Sequence, residues 1–125
     1  MATINKGPDL CYARGDLGPI TLRFKDDSQG SGNYNFTGFT SIELTIDTLE
    51  NPTDALTNVM TMTGTFDADR ESGLAAFNPP DQPTSDGLTP AAGLFYDVQA
   101  INAAGERITL LKGGDFEIIQ DINKG

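Results

Sequence analysis

Apolar and polar residues alternate with a period of two along most of this chain. Ile42, Leu44 and Ile46 fall on one side of an extended segment and Ser41, Glu43, Thr45 and Asp47 on the other. This is the spacing of a half-buried strand, in which successive side chains point to opposite faces; a helix would scatter the three apolar residues around its circumference. Ile20, Leu22 and Phe24 alternate in the same way with Thr21, Arg23 and Lys25, and Pro8 to Arg14 predicts a short edge strand with Leu10 and Tyr12 on one face. Val59 to Phe66 predicts a threonine-rich strand, with Leu74 to Asn78 as its hairpin partner across a polar turn at Asp67 to Gly73. In the last third, Gly93 to Ile101 and Glu106 to Lys112 predict two strands joined by the turn Asn102 to Gly105. After a further Gly pair, Phe116 to Ile122 predicts a third.

The 14 glycines and 7 prolines lie between the apolar runs, where they end strands and shape turns, which argues against long helices. Asp26 to Asn33 reads as a polar loop. In Tyr34 to Phe39, Gly38 supplies a tight bend while Phe36 or Phe39 plugs the end of the core. Leu49 to Asn58 reads as a connection with one helical turn at Thr53 to Leu56. Residues 78–90 hold Pro79, Pro80, Pro83 and Pro90 and read as a surface arm. A chain of 125 residues suits one domain, here residues 1–125 with an N-terminal arm at 1–9. The expectation is an all-β, antiparallel two-sheet sandwich of seven to eight strands.

Composition narrows the chemistry. The chain has no His, which removes the commonest general base and the commonest zinc ligand, and with them any Ser/His/Asp or Cys/His nucleophile. No glycine-rich phosphate loop occurs. The 18 acidic residues leave paired carboxylates as an option for sugar chemistry, but the absence of Trp removes the flattest sugar platform. The expectation is a protein without enzymatic activity, cofactor or metal. Asp67 to Gly73 has oxygen ligands at alternate positions, yet its glycine is seventh where a calcium loop needs it sixth, so it reads as a hairpin turn. Arg14-Gly-Asp16 reads as a bend with a capping Asp, and Asn35-Phe-Thr37, a formal glycosylation acceptor, as an ordinary loop element.

The formal net charge of −10 repels phosphate backbones and anionic membrane surfaces, so neither nucleic acid nor membrane is expected as a partner. Cys11 is the single cysteine, which fits synthesis in a reducing cytoplasm, and it reads as a small core or strand residue. The N-terminus carries no apolar stretch of signal-peptide length, and no window approaches the ~18 apolar residues of a membrane span.

The order of motifs carries a resemblance. Arg14-Gly-Asp16, a strand, a polar turn, Asn35-Phe-Thr-Gly38 and Ile42-Glu-Leu-Thr-Ile46 are followed by Gly93-Leu-Phe-Tyr-Asp-Val98, Gly105-x-x-Ile-Thr-Leu110 and Gly114-Asp-Phe-Glu-Ile118. This succession, over about residues 13 to 122, resembles the Ig-like virion domains of tailed bacteriophages, in particular the N-terminal module of siphophage upper-baseplate proteins. The resemblance implies an Ig-like sandwich and a non-catalytic structural protein of the virion, an assembly module of tail or baseplate. It would be made in the host cytoplasm, form a homo-oligomer and contact other virion structural proteins. Capsid decoration is the alternative placement, and a glycan-binding adhesion module, with or without calcium, is the rival class. The contact residues expected from the two arms are Ala2, Ile4, Pro8, Pro79, Pro80, Pro83 and Leu88. A proline-restricted arm loses less entropy on docking than a glycine-rich one.

Overall fold

A computed structural model describes residues 8–13, 18–26, 32–48, 58–79 and 91–119. The strands are β1 Leu10–Ala13, β2 Ile20–Arg23, β3 Lys25–Asp26, β4 Gly32–Asn33, β5 Phe39–Asp47, β6 Asn58–Phe66, β7 Leu74–Asn78, β8 Ala91–Asn102 and β9 Arg107–Ile119. Seven of them form one sheet in the order β1-β9-β8-β5-β6-β7-β2, and β3 and β4 form a short ladder of their own. The all-β expectation holds. The purely antiparallel one does not, because β1 lies parallel to β9, with Leu10 opposite Phe116 and Tyr12 opposite Ile118, which makes the sheet mixed.

The sheet is curled. β1 and β2 are its two edges, yet only residues 14–19 separate them in sequence. The step from Ala13 to Ile20 can reach at most about 25 Å, whereas seven flat strands about 4.8 Å apart would hold the edges about 29 Å apart. The single core says the same: Tyr12 of β1, Phe77 of β7 and Phe24 after β2 join Ile42, Leu44, Ile46, Val98 and Phe116 in one buried cluster. The sheet turns along β6, whose first half pairs with β5 and whose second half, from Thr63, pairs with β7. Gly64 sits at this changeover because nothing larger fits: a Cβ there would lie 2.5 Å from Cγ2 of Ile42 and 3.0 Å from the Phe77 ring.

The predicted strands mostly fall where the alternation put them. Ile42, Leu44 and Ile46 are fully enclosed, and β6 and β7 form the expected hairpin. Of the two candidates for the core's plug, Phe36 is the enclosed one, packed against Phe24, Tyr34, Phe39 and Phe66, while Phe39 is only partly buried. Asp47, expected on the solvated face, is buried, and the β5–β6 register shifts between Ile46 and Asp47. Cys11 lies on its strand but exposed, opposite Glu117.

The largest departure is at the C-terminal end. Two strands separated by the second Gly pair were expected, but β9 runs unbroken for 13 residues through Gly113 and Gly114. Tyr96 pairs with Gly114 and Val98 with Leu111, so two residues of β9 stand against the single Asp97. The pair is therefore a β-bulge and not a chain reversal. Gly113 takes φ +70, and its N–H is held by Asp97 Oδ1 at 2.8 Å. The register shifts at two further points: at Leu110 of β9, between the pairs Gln99–Thr109 and Val98–Leu111, and at Ala92 and Gly93 (φ +75) of β8. The helical turn expected at Thr53 to Leu56 falls outside the described residues.

Candidate interaction surfaces

Three features stand out on the surface: a braced turn, a latch under β1, and strand edges. The turn joins β6 to β7. Asp67 Oδ2 accepts from the N–H of Asp69 and the hydroxyl of Ser72, Asp69 Oδ1 accepts from the N–H of Glu71, and Gly73 closes the short 3-10 turn Arg70–Ser72 in the left-handed region. These carboxylates are thus turned onto their own backbone, as the hairpin-turn reading expects, and no group of three metal-ligating side chains gathers anywhere among the described residues. Arg70 reaches out of the turn. Its Nη1 donates to the carbonyls of Phe36 (3.3 Å) and Phe39 (3.0 Å), and its guanidinium lies 4.5 Å from the centre of the Phe66 ring. One cation thereby ties the β6–β7 turn to the chain entering β5. Arg70→Ala should cost about 2 kcal/mol, from two charge-assisted bonds and the ring contact. Arg70→Lys should recover less than half of that, because an ammonium lacks the planar face. Urea denaturation of the three proteins measures both effects.

The latch is Tyr96. Its ring lies flat against Gly114 and its hydroxyl donates to the carbonyl of Pro8 at 2.6 Å, pinning the residue that leads into β1. Burial, and then the nearby carboxylates of Asp9 and Asp115, push this phenol well above the ordinary tyrosine range. The fold therefore holds the proton to higher pH than the unfolded chain does. The stabilisation this brings is complete below about pH 10, the unfolded value, and falls away as pH rises above it. Melting temperature should thus decline above about pH 10 in the wild type. In Tyr96→Phe it should start lower, by the ~1 kcal/mol of a lost hydrogen bond, and decline less steeply over the same range.

The outward face of β5, β8 and β9 is polar. Arg107 Nη1 bridges Glu43 Oε1 and Gln99 Oε1, each at 2.9 Å, and Gln99 donates to Thr109 at 3.3 Å. Both charged partners are substantially exposed, which makes the pair worth little. Beside the β6–β7 turn, Thr21, Thr65, Phe66, Asp67, Leu74 and Ala76 help line a shallow groove of about 280 Å³.

The edges are more distinctive. Among the described residues no strand covers the far side of β1 or β2, and β1 covers β9 only from Phe116 to Ile119. Ile119 is the one large apolar residue among them that is exposed, at 38%. Of the residues expected to make contacts, Pro8 is exposed and held through its carbonyl, and Pro79 is half-buried directly after β7. Ala2, Ile4, Pro80, Pro83 and Leu88 lie outside the described residues. Sequence reasoning named Tyr96 and Gly114 only as parts of the motifs that carry the resemblance, gave neither a contact, and did not single out Arg70. A tyrosine within the alternating run Leu94, Tyr96, Val98 and Ala100, and a glycine inside a strand, were the available signals. No protein-family model matches the chain, and neither does any curated protein at a meaningful level of similarity. No helix among the described residues is long and apolar enough to cross a membrane.

Proposed function

We propose that this chain is a non-catalytic structural protein of a tailed-phage virion, an assembly module of the tail or baseplate that joins its neighbours through sheet edges and loops. On this reading the curled sheet is an Ig-like sandwich. Its two layers are β1-β9-β8-β5 with the first half of β6, and the second half of β6 with β7 and β2. The division of β6 at Thr63 and the parallel pairing of β1 support that reading.

One observation carries the functional proposal. Three glycines of the motifs that resemble the virion domains lie in the β8–β9 hairpin, and each does conformational work there. Gly93 and Gly105 take φ +75 and +83, and Gly114 admits the Tyr96 ring. These glycines shape the bulged hairpin that the resemblance would require, which supports the reading. Exposed edge strands offer main-chain donors and acceptors that a neighbouring subunit can satisfy.

Quantitative mass spectrometry of purified particles tests the proposal. A building block appears at a fixed copy number set by the particle's symmetry. A multiple of six per tail supports tail or baseplate placement, and a number in the hundreds supports the head surface. Absence from washed particles contradicts the proposal.

A further inference from the structure

We propose that the outer edge of β2 and β3, from Thr21 to Lys25, takes up an extended acidic segment of a neighbouring polypeptide as an added strand. The inference rests on reading the chain as an assembly module, and it names the edge used and the chemistry of the strand that fits it.

The ladder with β7 shows which main-chain groups are open. Ile20 stands opposite Phe77 and Arg23 opposite Leu74, and the N–H of Phe24 donates to the carbonyl of Gly73 at 2.7 Å. Bonded pairs alternate along an antiparallel ladder, so Ile20 and Leu22 bond to β7 while the N–H and C=O of Thr21 and Arg23 point away from it. Beyond Phe24, β4 takes over from β7 on the same side: the N–H of Tyr34 donates to the carbonyl of Phe24, and Lys25 stands opposite Asn33. The N–H and C=O of Lys25 therefore face the open side as well. Among the described residues nothing pairs with these groups, and the side chains of Thr21, Arg23 and Lys25 are exposed. On the inner face Ile20 and Leu22 are only partly buried, at the margin of the core. A strand laid along this edge would use its main-chain groups and cover both apolar side chains.

The charge at this edge selects the occupant. Arg107 and Lys112 face Glu43 and Asp97, and Arg70 is turned onto the carbonyls of Phe36 and Phe39. Arg23 and Lys25 meet no carboxylate among the described residues, although the chain carries a net charge of −10. Lys25 Nζ donates to Asn33 Oδ1 at 2.7 Å, and Asp67, which lies beyond Leu74 from Arg23, is turned onto its own turn. Two cations at alternate positions of one face match carboxylates at alternate positions of an added strand, since opposite charges facing each other across a ladder attract and like charges repel. The same rule bars this edge to the identical edge of a second copy, which would set cations against cations.

Titration of the ¹⁵N-labelled full chain with a synthetic heptapeptide of alternating valine and glutamate, and with its counterpart of alternating valine and lysine, tests this. With the glutamate peptide the amides of Thr21, Arg23 and Lys25 should shift and exchange more slowly, while those of Leu22 and Phe24, already bonded, should slow little. The lysine peptide should bind roughly tenfold more weakly or worse, the effect of reversing two facing charge pairs. Arg23→Glu combined with Lys25→Glu, both at exposed positions, should reverse that preference. Thr21→Pro, which removes an outward N–H and no bond to β7, should weaken capture of the glutamate peptide. Equal binding of the two peptides, shifts confined to other strands, or no binding at millimolar peptide would overturn the inference. So would protection of these amides in dilute protein alone, which would mean that the chain covers its own edge, and protection that rises with protein concentration, which would make a second copy the occupant. Each of those results leaves the virion reading intact if particles hold the chain at fixed copy number. Capture of the glutamate peptide by a chain absent from particles would uphold the strand addition and remove the virion reading.

Discussion

Leu44→Asp should leave the chain unfolded at 25 °C. Leu44 has no exposed surface and stands mid-strand in β5, between Met62 on one side and Val98 on the other, both equally enclosed. Removing the isobutyl group alone costs about 2–5 kcal/mol. The carboxylate that replaces it would enter the core without a partner and add several kcal/mol more, or would have to stay protonated. Together these approach or exceed the whole stability of a typical domain, about 5–15 kcal/mol. Circular dichroism should show a disordered chain with no cooperative melting. Thr45→Asp, one residue on and on the half-exposed outer face, should melt within a few degrees of wild type. If Leu44→Asp melts like wild type, the register of β5 is wrong.

Gly114→Val should be the next most damaging, for the opposite reason. Even a single Cβ at position 114 would overlap Cε1 of Tyr96 and lie 2.6 Å from Cζ. The ring has nowhere to go, since it is buried against Phe116 and its hydroxyl is anchored on Pro8. Overpacking costs about 1–3 kcal/mol, and the upper end, which fits a contact this close, lowers the melting temperature of a domain of this size by roughly 10 °C. The anchoring of Pro8 should fail at the same time, so the amides of β1 should lose protection from exchange. A double-mutant cycle separates the clash from any general effect of valine: with Tyr96→Leu already present, Gly114→Val should cost less than half as much. Equal cost in both backgrounds would place the strain elsewhere.

Local alternation made much of this fold legible. Ile42, Leu44 and Ile46 form the middle of the sheet because their spacing leaves one face apolar, and the β6–β7 and β8–β9 hairpins follow from alternating runs joined by short polar turns. What escaped is what local pattern does not encode. Gly113 and Gly114 have the composition of a turn, and only their pairing with Tyr96 and Asp97 shows them to be a bulge. Even the shared even-numbered phase of Ile108 and Leu110 with Phe116 and Ile118 misleads about continuity, because it survives only through two one-residue shifts of β9 against β8. The parallel contact of β1 with β9 joins residues more than a hundred positions apart, which no periodicity predicts. The changeover on β6 was written in Thr-Gly-Thr at positions 63–65, but a glycine in a strand announces a close approach without naming the neighbour.

The candidate surfaces were less legible than the core. The N-terminal and proline-rich segments were singled out by composition, whereas the extent of the β1–β9 ladder, which among the described residues covers β9 only from Phe116 to Ile119, follows from long-range pairing. Arg70 looked like one charge in a polar turn, and its role depends on carbonyls more than thirty residues away.

The closure of the sheet by β1 underlies the single core and the Tyr96 latch. Backbone NOEs and amide exchange across the β1–β9 pair measure it directly. A parallel pattern should link Leu10 with Phe116 and Tyr12 with Ile118, with β1 amides protected in the wild type and less so in Tyr96→Phe. Cross-strand contacts in an antiparallel pattern, or β1 amides that exchange as fast as an unstructured peptide, would contradict it.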